Sequence, residues 1–151
     1  MSFEEIRVIT IVYLAVFLPL LIYFTNRSKL PTWIPSFYIV SIVVCALGWE
    51  LWFTYGWLDG DAVNIRRSEA LNIWLPKNIN WLMNSMGDAG AVLCGGVWLM
   101  WITHKKDPIV FKKWKWSAFS IFLIWCVSQN IFVEMFLYHD QLADDKLLSW
   151  A

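Results

Sequence analysis

Four apolar stretches, at 6–24, 36–57, 79–103 and 117–138, are each long enough to cross a lipid bilayer as an α-helix, which needs about 20 mainly apolar residues. Lipid offers no hydrogen bonds, so each stretch must pair its own N–H and C=O groups, and a helix does this within one segment. The expected fold is all-α: a polytopic integral membrane protein, a bundle of four transmembrane helices in one domain over residues 1–151. Composition agrees, since 59% of residues are hydrophobic, 18% are aromatic, and the charges cluster between the apolar runs. The start carries Glu4 and Glu5 against Arg7, and no small-residue cleavage site follows the first stretch, so it is read as a retained span.

Pro31 and Pro35 interrupt the first connection. The second contains a mixed segment, Val63 to Leu75, in which Ile65, Leu71, Ile73 and Trp74 alternate with Arg66, Arg67 and Glu69 before Pro76. That pattern predicts a short interfacial helix over the bundle. Gly87, Ala91 and Gly95, four residues apart, mark the third helix as the centre of close packing.

Four crossings put the first and third connections on one side, and both termini with the second connection on the other. Residues 25–35 and 104–116 carry Arg27, Lys29, Lys105, Lys106, Lys112, Lys113 and Lys115, against Arg7, Arg66, Arg67, Lys77 and Lys146 opposite. The positive-inside rule makes the Lys-rich side cytoplasmic and both termini extracytoplasmic, in a cell or inner membrane. Trp33, Trp57, Trp114 and Trp116 near the segment ends form an aromatic belt. With zero net charge and no basic face interleaved with exposed aromatics, nucleic acid is not an expected partner. The expected partners are membrane lipid and a hydrophobic small molecule, and the chain is compatible with a homo- or hetero-oligomer.

Glu50, Asp88 and Glu134 lie inside the apolar stretches, where carboxyls are costly and point to function. Asn80, Asn84 and Asp88 recur every four residues and share one stripe of the third helix, and Cys126, Asn130, Glu134 and Tyr138 repeat the spacing on the fourth, with Gln129 beside them. Glu50 and Thr54 stand one turn apart on the second. Alternating helix direction brings all three acids into the membrane half opposite the Lys-rich loops. No Lys or Arg lies within the second, third or fourth stretch, so the acids are protonated, hold a proton or cation in transit, or reach Arg66 and Arg67. Interhelical hydrogen bonding is the plainer role for Asn80, Asn84, Gln129 and Glu134.

Neither a metal nor a cofactor is implied. Glu134 and His139 are five residues apart and do not share a helical face, and Asp59, Asp61 and Asn64 lack the rest of a calcium loop. His104 and His139 fall on opposite sides, which excludes a shared haem, and the spans contain no Lys for a Schiff base. Cys45, Cys94 and Cys126 are widely separated and read as buried free thiols.

Glu50 is framed by Gly48, Trp49, Leu51, Trp52 and Phe53, with Trp81, Trp98, Trp101 and Trp125 in the other spans. A carboxylic acid in a dry, aromatic-walled pocket can protonate an alkene or epoxide, indole faces stabilise the resulting cation, and a second carboxylate removes a proton. The segment 39–56, with Cys45 ahead of Trp49 and Glu50, resembles the Trp-Glu segment of the integral-membrane terpene cyclases, and the resemblance assigns their proton-donating acid to Glu50. Those cyclases have seven spans and place their other acid in a late helix, so Asp88 enters as the partner from this chain's own pattern. The layout is also similar to sterol isomerases of the emopamil-binding type, which carry a His one turn before the acid where this chain has Cys45 and Ala46.

The residues thus point to acid/base chemistry on an isoprenoid or lipid-like substrate. Glu50 and Asp88 are the catalytic candidates, and Trp49, Trp52, Asn80, Asn84, Gln129, Asn130 and Glu134 the binding candidates. The alternatives are a proton- or cation-coupled transport element and an accessory subunit of a membrane complex.

Overall fold

A computed structural model describes residues 1–56, 60–133 and 135. Every regular element among them is helical: α1 (Phe3–Asn26), α2 (Ile34–Leu47), α3 (Trp49–Tyr55), α4 (Val63–Arg66), α5 (Glu69–Trp74), α6 (Lys77–Gly87), a π-helical segment (Asp88–Cys94), α7 (Gly95–Thr103), a 3-10 turn (Pro108–Phe111) and α8 (Trp116–Phe132). By length and composition, Phe3–Asn26 and the continuous Lys77–Thr103 can cross a membrane, and the bent pair Ile34–Leu47 and Trp49–Tyr55 makes a third span if counted as one. Trp116–Phe132 is apolar but has only 17 residues. The remainder of the fourth expected stretch, including Glu134 and 136–138, lies outside the described residues.

Three expected boundaries are corrected. Expected from residue 6, α1 begins at Phe3, because Ser2 and Glu5 form a reciprocal capping box: the Ser2 N–H donates to Glu5 Oε2 at 2.6 Å and the Glu5 N–H to Ser2 Oγ at 3.2 Å. The continuous helix expected over 36–57 breaks at Gly48 with a bend of 43° and stops at Gly56, whose φ of 79° is the left-handed cap that favours glycine. The single helix expected over 63–75 is two, α4 and α5, separated at Arg67 and Ser68; the Ser68 hydroxyl caps α5 by accepting from the Leu71 N–H.

Side-chain pairings show that successive long elements run in opposite directions. Tyr38 donates to the Met86 carbonyl while Trp81 donates to the Ala46 carbonyl, so α2 descends as α6 ascends. His104 bonds Ser117 at 3.0 Å, and a Cβ on Gly96 would touch Phe122, which sets α8 antiparallel to α7. The direction of α1 matches that of α6, since Gly87 abuts Ala15 and Gly90 abuts Pro19. The stretch from Lys77 to Thr103 touches α1, α2, α3 and α8, which makes it the centre of the packing.

The expected Gly87, Ala91 and Gly95 row divides between two neighbours. Gly87 faces α1 and Gly95 faces Trp125 of α8, because the wider turns of the intervening π segment shift the helix phase. Val8, Val12 and Val16 of α1 close a buried cluster with Leu71, Leu75 and Met83, which seats α5 on the α1–α6 pair.

Candidate functional site

The stripe Asn80, Asn84 and Asp88 takes one partner per turn. Asn80 Oδ1 accepts from Arg67 Nη1 at 3.1 Å, Asn84 hydrogen-bonds Glu50, and Asp88 Oδ2 accepts from the Trp49 indole N–H at 2.7 Å. Three consecutive turns of the central helix are thereby joined to the capping segment and to α3. Glu50 is only 7% exposed, and its Oε2 has no hydrogen-bond partner among the described residues. Asp88 is near enough to act on Glu50 electrostatically, and neither acid forms an ion pair with a described residue. Cys45, fully buried, lies within the field of both.

Two breaks in helical regularity frame the site, and a tryptophan caps each. At Gly48 the ψ of −122° ends the α2 ladder, and a Cβ there would stand 2.7 Å from the Val44 carbonyl oxygen, so the bend is built on glycine. The break frees carbonyls that cannot stay unpaired in an apolar setting, and Trp81 Nε1 donates to Ala46 O at 2.8 Å. The bend sets α3 at an angle that carries Glu50 onto Asn84. In the π segment, Trp125 Nε1 donates to the carbonyls of Ala91 and Val92 at 3.1 and 3.0 Å. The indole N–H groups of Trp49, Trp81 and Trp125 therefore hold the frame, and Trp49 and Trp125 also line a cleft.

That cleft, about 560 Å³, lies between α1, α3, the central helix and α8. It gathers Glu50, Asn80, Asn84, Asp88, Gln129 and Asn130 from three separate stretches of sequence, together with Thr54. The Asn130 amide also donates to the Cys126 carbonyl of its own helix at 2.8 Å. Trp52 is not among the lining residues and is 48% exposed, which puts it on the outer face of α3. Glu134 lies outside the described residues.

Arg66 and Arg67 are the cleft residues that sequence reasoning treated only as conceivable partners of the acids. Arg66 is 4% exposed and its Nη2 donates to the Phe53 carbonyl at 2.6 Å. Arg67 holds Asn72 Oδ1 at 2.7 Å, Asn80, and the Leu75 carbonyl, which fastens the end of α5 to the start of α6. These bonds run to amides and carbonyls, while Glu50 hydrogen-bonds Asn84 and Asp88 accepts from Trp49. A signal was present in the sequence: two adjacent arginines, between Ile65 and Ser68 in a partly apolar segment, need internal acceptors where that segment packs on the bundle.

No protein-family model, no curated protein and no solved structure matches the chain.

Proposed function

We propose that the chain is an integral membrane protein of four alternating crossings, in which the cleft binds an isoprenoid or other lipid-like molecule and Glu50 with Asp88 performs acid/base chemistry on it. The observation that carries the reading is the Glu50 carboxyl, buried at the wall of an apolar cleft with one oxygen lacking a partner among the described residues. A buried acid that forms no ion pair with a described residue is retained at a cost in stability, which argues for a role beyond packing. Glu50 donates a proton to an alkene or epoxide, and the faces of Trp49, Trp98 and Trp125 steady the positive charge. Asp88, oriented by the Trp49 N–H, removes a proton, so that substrate and product are isomers. Asn84 fixes the Glu50 carboxyl, and Gln129 and Asn130 line the opposite wall.

In this arrangement the Lys-rich connections are cytoplasmic, and Glu50 and Asp88 share the extracytoplasmic half. The purified protein is tested with linear isoprenoid alkenes and terminal epoxides, with isomeric products read by mass spectrometry. Turnover by the wild type and none by Glu50→Gln is expected; equal turnover by both removes Glu50 from the reaction.

A second reading, proton- or cation-coupled transport, is favoured by the mutual proximity of Glu50 and Asp88 without a described cationic partner. It predicts a proton flux in liposomes that Glu50→Gln abolishes, in the absence of any substrate conversion.

A further inference from the structure

We propose that the Lys-rich third connection and a groove beside it bind one anionic phospholipid, with the phosphate on Lys112, Lys113 and Lys115 and an acyl chain in the groove. The inference rests on the chain lying in a membrane and is independent of the chemistry assigned to Glu50.

The groove, about 360 Å³, lies between α2, α7, the 3-10 turn and α8, and shares only Val97 and Phe111 with the cleft of Glu50. Val110 and Ala118 are buried and make its floor, while Lys112, Lys113, Trp114 and Lys115 are exposed and make its rim.

Its polar groups stand at one end. From Lys115 to Phe122, α8 rises about 10 Å at 1.5 Å per residue, and Phe122 lies at the level of Gly96 on α7. Along that length the wall is apolar, formed by Phe37, Val97, Met100, Phe119 and Phe122. A molecule with a charged head and a hydrocarbon chain fits in one orientation, head at the connection and chain towards Phe122. The reverse would strand the head among apolar side chains.

Charge selects the sign of the head. Residues 104–116 hold five lysines and one acid, Asp107, whose Oδ1 accepts from the Ile109 N–H at 2.9 Å and so caps the 3-10 turn. Lys112, Lys113 and Lys115 form no ion pair with a described residue. Lys115 is also the N-cap of α8, at the end of the helix dipole that disfavours a cation and favours an anion. Three cations within four residues repel one another, and a phosphate among them relieves that repulsion, whereas a zwitterionic head brings an ammonium of its own. Trp114 and Trp116 are exposed and pack edge to face at 5.2 Å beside the lysines, as indoles do at head-group level. In the proposed topology this face meets the cytoplasmic leaflet, which carries the anionic lipid.

The test is native mass spectrometry of the intact chain in detergent, titrated with dioleoyl phosphatidylglycerol and dioleoyl phosphatidylcholine, which share their chains and differ in net charge. Phosphatidylglycerol is expected to bind at least about tenfold more tightly. Lys112→Gln, Lys113→Gln and Lys115→Gln together should remove that preference. Arg27→Gln, Lys29→Gln and Lys105→Gln, a charge-matched set at exposed positions off the groove, should keep it. Circular dichroism checks that both variants fold. A phosphatidylglycerol with a diazirine in its acyl chain should crosslink within 97–122, and excess glycerol phosphate, which lacks a chain, should not displace it. Equal affinity for the two lipids, equal loss in the two triple variants, crosslinks mainly on α1, or full displacement by glycerol phosphate would each overturn the inference. Each of these results can occur with or without isoprenoid turnover, so the two proposals fail separately.

Discussion

The indole N–H of Trp49 donates to Asp88 Oδ2 at 2.7 Å, across 39 positions of sequence, and so ties the first residue of α3 to the first residue of the π segment. The bond holds one acid in place and anchors the helix that bears the other. Trp49→Phe keeps the ring and removes the donor. It is expected to lower stability by about 1–2 kcal/mol in thermal denaturation in detergent, and to reduce turnover more than substrate affinity.

Trp81 supports Glu50 at one remove. Its N–H is the partner of the Ala46 carbonyl at the bend, so Trp81→Phe leaves that oxygen unpaired and should cost about 1–3 kcal/mol. Hydrogen exchange is expected to rise in α3, from Trp49 to Tyr55, more than in α1. Uniform exchange across both helices would show that the indole does not hold the bend.

Gly48→Ala tests the bend from the backbone side. The added methyl would stand 2.7 Å from the Val44 carbonyl oxygen, so the backbone must shift and Glu50 must move away from Asn84. Loss of turnover with helical content intact by circular dichroism is the expected result.

Much of this arrangement is legible in the residues, and the rest depends on distant contacts. Asn80, Asn84 and Asp88 reveal their common face through spacing alone, because helical periodicity is local. The break at Gly48 has no comparable signature: a single glycine in an apolar run weakens a helix, but the bend also requires Trp81 from another helix. The π segment is similar, since Asp88 to Cys94 reads as ordinary helix and the donor that satisfies its carbonyls, Trp125, comes from α8. Trp52 looked equivalent to Trp49 as a cleft wall, but of the two only Trp49 lines the cleft. Arg66 and Arg67 were visible as charges, whereas their amide and carbonyl partners follow from how α4 and α5 fold back over the bundle.

The proposed four alternating crossings make a direct topological prediction. In a variant with Cys45, Cys94 and Cys126 replaced by alanine, single cysteines at Ser28 and Lys113 are expected to react with a membrane-impermeant maleimide only from the cytoplasmic side. A cysteine at Ala62 should react only from the other. Labelling of Lys113→Cys and Ala62→Cys from one face would rule out the four-crossing arrangement.

The central claim is that Glu50 is a reactive acid at the wall of the apolar cleft. Dicyclohexylcarbodiimide partitions into apolar regions and reacts with carboxylic acids there, and peptide mass spectrometry locates the adduct. The account predicts labelling at Glu50, none in Glu50→Gln, and protection by a long-chain ligand in the cleft. Labelling confined to Glu4, Glu5 and Glu69, with Glu50 unmodified in the empty protein, would contradict it.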